Sequence, residues 1–117
     1  GITMTLGEWA WSQASRDYTR ESTGENVTIM LYDSAYYQEF PWLQTFKMRW
    51  EYETSEGYGK TITYRGYNGY ELYDKGSGYI RMILVADRYL VWLDAETKDT
   101  LDLFSGRVDY EALAELE

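Results

Sequence analysis

Two nearly continuous apolar runs, separated by three residues, constrain this chain more than any other feature. They are Tyr79-Ile80-Arg81-Met82-Ile83-Leu84-Val85 and Tyr89-Leu90-Val91-Trp92-Leu93, with Ala86-Asp87-Arg88 as a tight corner between them. Side chains alternate between faces along a strand. Ile80, Met82 and Leu84 therefore share one face and Ile83 and Val85 the other, while Leu90 and Trp92 oppose Val91 and Leu93. A strand apolar on both faces must be covered on both, since each large side chain is worth about 1.5–3 kcal/mol when buried. The runs predict a central antiparallel hairpin with a helix across one face.

The rest of the chain supplies neighbours for that hairpin. Residues 8–18 alternate small and large side chains at period two and read as a strand. A turn over 21–26 and a β-rich run over 27–33 would close a hairpin on it. Asp33 and Ser34 read as caps for a helix over 35–49, whose Tyr36, Phe40, Leu43, Phe46 or Lys47, and Trp50 recur at three- to four-residue spacing. Pro41 fits only a first helical turn, so the regular part is expected to start near Phe40. Strands are expected over 51–56, 60–65 and 70–74, with turns at Gly57-Tyr58-Gly59, Gly66-Tyr67-Asn68-Gly69 and 74–78. Residues 94–100 read as polar loop and 100–104 as one short helical turn. Asp109 reads as the N-cap of a terminal helix over 110–116. The expected fold is α+β, a single domain over 1–117. Its mostly antiparallel twisted sheet has six or seven strands, with a helix after Pro41 and a C-terminal helix packed on it.

Composition excludes much chemistry. The 117 residues contain no cysteine and no histidine. Disulfides, thiolate nucleophiles, zinc ribbons and the serine–histidine triad are therefore impossible, and the usual physiological-pH switch is missing. Twenty acidic against eleven basic residues give a net charge of −9, which argues against nucleic acid and against an anionic membrane surface. No apolar stretch approaches the roughly twenty residues of a membrane helix, so no insertion of this segment is expected. The chain opens at Gly1 rather than at methionine, as a trimmed or processed chain would, and an export signal removed ahead of it would leave no trace.

What remains unusual is aromatic content. Thirteen tyrosines and five tryptophans make up most of an 18% aromatic share. The dipeptide Gly-Tyr occurs at 57–58, 66–67, 69–70 and 78–79 without a fixed period. Its bland reading is turn chemistry followed by cross-strand packing. Its functional reading is a tyrosine-lined face at one end of the sheet, formed by Tyr58, Tyr67, Tyr70 and Tyr79, that grips a sugar ring or a peptide. Trp9 and Trp11 share one side of the first strand, as a core edge or an adhesive patch. Acidic residues cluster at Glu51, Glu53 and Glu56 and again at Asp94, Glu96, Asp99 and Asp102. The second cluster lacks the glycine and the terminal glutamate of an EF-hand, so solvated loop charge is the expected reading and no metal is assigned. No nucleophile–base set, Walker pattern or dinucleotide fingerprint is present, and no catalytic residue or cofactor is expected.

Four segments carry a resemblance: Ser12-Gln13-Ala14-Ser15-Arg16-Asp17-Tyr18, Gly57-Tyr58-Gly59-Lys60-Thr61, Gly66-Tyr67-Asn68-Gly69-Tyr70-Glu71-Leu72-Tyr73-Asp74-Lys75 and Leu84-Val85-Ala86-Asp87-Arg88-Tyr89-Leu90-Val91. Together they resemble a group of uncharacterised bacterial and archaeal domains, often found behind an export signal or lipoprotein anchor. The resemblance implies an envelope-exposed α+β sandwich of the PsbP-like kind and brings no catalytic residues; a cytoplasmic location stays open. The expected function is a non-catalytic binding or accessory domain of the cell envelope, engaging a protein or polysaccharide through aromatics. An acid-pair glycoside hydrolase and a structural module packed on neighbouring domains are the alternatives, and the sequence leaves oligomeric state open.

Overall fold

Short turns decide the topology. The computed structural model describes residues 13–34 and 46–116. Their strands are β1 (Gln13–Thr19), β2 (Asn26–Asp33), β3 (Glu51–Thr54), β4 (Gly57–Tyr64), β5 (Tyr67–Asp74), β6 (Gly78–Val85) and β7 (Tyr89–Ala95), followed by helices α1 (Lys98–Ser105) and α2 (Tyr110–Ala114). Between β4 and β5, Arg65 and Gly66 have φ of +50° and +86°, the left-handed pair that a two-residue hairpin turn of matching twist requires. Such links leave only antiparallel pairing, and β3 to β7 form a meander whose last strand closes on β2. The order across the sheet is β1-β2-β7-β6-β5-β4-β3. As the two apolar runs demand, β6 and β7 pair in its middle.

Helices cover one face. Val27, Ile29 and Leu31 of β2, Val91 and Leu93 of β7, and Ile83 and Val85 of β6 pack there against Leu101, Phe104, Val108, Tyr110 and Leu113. On the opposite face Phe46, Tyr70, Met82, Leu84 and Leu90 form a second buried cluster. Thr97 caps α1 by accepting from the Thr100 N–H, and Asp109 caps α2 by accepting from the Ala112 N–H at 3.0 Å, each meeting an amide with no partner inside the helix.

Three expectations are corrected. Within the expected helix over 35–49, residues 46 and 47 form a single 3₁₀ turn and the chain then extends into β3; residues 35–45 lie outside the described residues. Backbone pairing explains the extended chain there, because the Trp50 carbonyl already accepts from the Thr61 N–H at 3.0 Å. The helix packed on β7 and β6 is α1, in the stretch expected as loop and a single turn. Its buried positions include Thr100 and Ser105, so a hydrophobic stripe is scarcely visible. Finally, Gly57-Tyr58-Gly59 and Tyr67-Asn68-Gly69 are strand rather than turn; the reversals are made by Ser55 with Glu56 and by Arg65 with Gly66.

Candidate functional site: the aromatic end of the sheet

Cross-strand register builds a row of tyrosines where β4, β5 and β6 lie side by side. Tyr79 pairs with Tyr73, and Tyr73 with Tyr58. Ring centroids are 4.5 Å apart for Tyr73 and Tyr79 and 5.7 Å for Tyr58 and Tyr73. All three rings are half-buried on the helical face. They spend their faces on one another, which stabilises the sheet as cross-strand aromatic pairs do.

The next row inward is charged, with alternating sign: Arg81 opposes Glu71, Glu71 opposes Lys60, and Lys60 opposes Glu51. Arg81 and Glu71 are both buried, at 5% and 3% exposure. The Arg81 guanidinium donates through Nη2 to Glu71 and to Asp102 of α1, at 2.8 Å for the latter, and through Nη1 to Ser105 Oγ at 3.2 Å. The Tyr58 hydroxyl donates to the other Glu71 oxygen at 2.7 Å. Burial alone would push the Glu71 carboxyl up, but the hydrogen bonds from Arg81 and Tyr58 outweigh it and hold the carboxyl below its ordinary value. Burial, then the charged Glu71 acceptor, pushes the Tyr58 phenol upward. The network is thus locked as an ion pair with a neutral phenol, and it bolts α1 to the sheet. Arg81 Nε is buried without a partner, so the pair retains some desolvation cost.

The tyrosines that follow glycine do not share one face. Tyr58 and Tyr79 meet edge to face at 6.5 Å, with Tyr73 between them. Tyr67 sits at the other end of the helical face, 5.8 Å from the Tyr110 ring. Tyr70 is three residues further along β5 and so faces the opposite side, where it stacks on Phe46 at 4.3 Å and is 6% exposed. Trp9 and Trp11 lie outside the described residues. The acidic clusters disperse too: Asp99 pairs with Arg20 at 2.7 Å and Asp102 with Arg81, and half-buried Asp94 has a carboxyl pushed up by its burial. Among the described residues no group of three carboxylates is placed to hold a metal ion.

Sequence reasoning missed Tyr52. The two-residue turn at Ser55 and Glu56 sets Tyr52 of β3 directly opposite Gly59 of β4. Its ring lies on that glycine so closely that a Cβ there would come within 2.4 Å of Tyr52 Cε1. Trp50 stacks beside it, with centroids 5.8 Å apart and planes 9° from parallel. Tyr52 is nonetheless 51% exposed. The ring is held flat with much of its surface open to solvent. Beside it runs a groove of about 230 Å³ lined by Tyr52, Leu72, Ile80 and Gly57, with Thr54, Glu56, Asp74 and Ser77 also on its walls. Asp74 Oδ2 accepts from the Gly76 and Ser77 amides and from Ser77 Oγ, at 2.9–3.1 Å, so the rim loop is fixed. The signal in the sequence was an aromatic facing a glycine across a short hairpin.

No family model, curated protein or solved structure matches this chain. The functional reading therefore stands on the residues themselves.

Proposed function

We propose that this chain is a non-catalytic binding or accessory domain that takes a sugar ring of a polysaccharide in the Tyr52 groove. One observation carries the reading: an exposed tyrosine ring, fixed on Gly59 and Trp50, walls a groove with an apolar floor and oxygen-bearing walls. An aromatic face suits the C–H face of a sugar, while Glu56, Asp74, Thr54 and Ser77 offer oxygens to its hydroxyls. At about 230 Å³ the groove falls below the roughly 300 Å³ at which drug-sized pockets begin, and suits one ring of a longer chain. A broad protein interface has less support, because Met48 and Tyr52 are the exposed large hydrophobics among the described residues and stable interfaces bury about 1,200 Å² or more. An envelope location rests on the resemblance of the four segments and belongs to the same proposal.

A glycan array probed with the wild-type chain and with Tyr52→Ala tests the reading. Binding to a defined class of glycan that is lost in Tyr52→Ala is expected. Glycan binding unaffected by the substitution, or no binding alongside capture of one protein from an envelope extract, would overturn it. A second reading, an acid-pair glycosidase, is favoured by one fact: Glu56 and Asp74 line the same groove. Both are exposed, however, and a general acid in such a pair needs desolvation to stay protonated. Turnover of an aryl glycoside that is abolished by Glu56→Gln would favour that reading instead.

A further inference from the structure

We infer that a second pocket, at the opposite end of β4 from the Tyr52 groove, binds a tetrahedral oxyanion of the phosphate or sulfate class. The pocket has a volume of about 240 Å³, and Lys47, Arg49, Thr61, Thr63 and Asn68 are among its lining residues. Lys47 lies in the 3₁₀ turn at residues 46 and 47, Arg49 follows it, and both are exposed. Thr63 and Asn68 are direct cross-strand partners on β4 and β5, which places their side chains on one face of the sheet.

Three features converge on an anion. First, the pocket is lined by two cations and no carboxylate, in a chain where acids outnumber bases by twenty to eleven. Second, the cations are unspent. Arg20, Arg81 and Arg88 are paired with carboxylates, and Lys60 lies between Glu71 and the Tyr58 ring. Neither Lys47 nor Arg49 has an acidic partner among the described residues. Third, the Thr63 hydroxyl and the Asn68 amide can both donate, and neither has a hydrogen-bond partner among the described residues. An ammonium, a guanidinium, a hydroxyl and a carboxamide are all donors suited to phosphate oxygens. Arginine adds the fork that fits two oxygens at once. The surrounding net charge of −9 repels anions at long range, so affinity must come from these direct contacts and must weaken as added salt screens them. The inference does not depend on sugar binding at Tyr52.

The experiment is a titration of the isotopically labelled chain with sodium phosphate at a constant ionic strength of about 0.1 M, followed by backbone amide shifts. Saturable shifts confined to residues 46–49, 61–63 and 68 are expected. The Lys47→Ala/Arg49→Ala double variant should lose about tenfold or more in affinity. Arg49→Lys should lose part of that, having kept the charge and lost the fork. A control with the same change of net charge, Lys75→Ala/Lys98→Ala, should bind within about twofold of wild type, because exposed charges beyond a Debye length of about 10 Å are largely screened. A sugar phosphate binding more tightly than inorganic phosphate would make the anion a group on a larger ligand; equal binding would make the free ion the ligand. Shifts spread evenly over the surface, an equal loss in the control, or no saturation would overturn the site.

Discussion

The two halves of the sheet are built on different terms. In β2, β7 and β6 the aliphatic side chains Val27, Ile29, Leu31, Val91, Leu93, Ile83 and Val85 face the helices, each no more than 2% exposed. In β3 every residue is exposed. Glycines at 57 and 59 bring β3, β4 and β5 close, so that a Cβ at Gly57 would strike the Tyr73 carbonyl. The first half holds the fold through area removed from water. The second holds a surface in place through rings laid on glycine and on one another, and can present Tyr52 because the core does not need that ring. The Arg81–Glu71 pair joins the halves, one partner on the central strand β6 and the other on β5.

Substitutions that should affect the two halves differently test this division. The largest effect is expected from Leu84→Asp, which sets an unpaired charge among Phe46, Tyr70, Met82 and Leu90. The cost is several kcal/mol against a total stability of about 5–15 kcal/mol, so no cooperative unfolding transition should remain. A soluble variant with a wild-type denaturant midpoint would show that this face is not core.

Next comes Arg81→Ala, which leaves buried Glu71 with only the partly exposed Lys60 ammonium at 3.9 Å and should cost about 3 kcal/mol in chemical denaturation. The double change Arg81→Met/Glu71→Leu should recover most of that loss, since removing both charges removes the desolvation cost as well. The same pair predicts a pH dependence. The folded pKa of Glu71 lies below its ordinary value of 4.5, so its contribution is complete above that value and is lost as pH falls through it toward the folded pKa. Glu71→Gln should flatten that part of the acid limb in urea unfolding between pH 5 and 2, and an unchanged limb would remove Glu71 from the account.

Smaller effects belong to the other half. Gly59→Val drives a side chain into the Tyr52 ring and should cost about 1–3 kcal/mol as overpacking does, while abolishing sugar binding. Tyr52→Ala removes a half-exposed ring and should cost less than about 1 kcal/mol in thermal unfolding, yet abolish binding as completely. If stability and binding fell together in Tyr52→Ala, the two halves would not be separable.

The sequence made some of this plain and hid the rest for physical reasons. The central hairpin was legible because apolar residues on both faces permit only one position in a sheet. Asp109 was legible as a cap because its short side chain meets an otherwise orphaned amide. Helix α1 was hidden because Thr100 and Ser105 occupy buried positions and erase its hydrophobic period. The shared tyrosine face failed on parity: Tyr67 and Tyr70 are an odd number of residues apart on β5, and a strand turns such residues to opposite sides. The Arg81–Glu71 pair was invisible because cross-strand register follows from turn lengths rather than from composition. Tyr52 was overlooked because its importance lies in Gly59, seven residues later.

Hydrogen exchange of the backbone amides, with and without the glycan selected by the array, tests the division of labour most directly. Amides of β2, β6 and β7 should exchange only through global unfolding, and those of β3 through local opening of lower free energy. Saturating glycan should slow exchange in β3, β4 and β5 beyond the global gain and leave no additional protection on β1 and β2. Amides of β3 as protected as those of β7, or glycan protection centred on β1 and β2, would contradict the account.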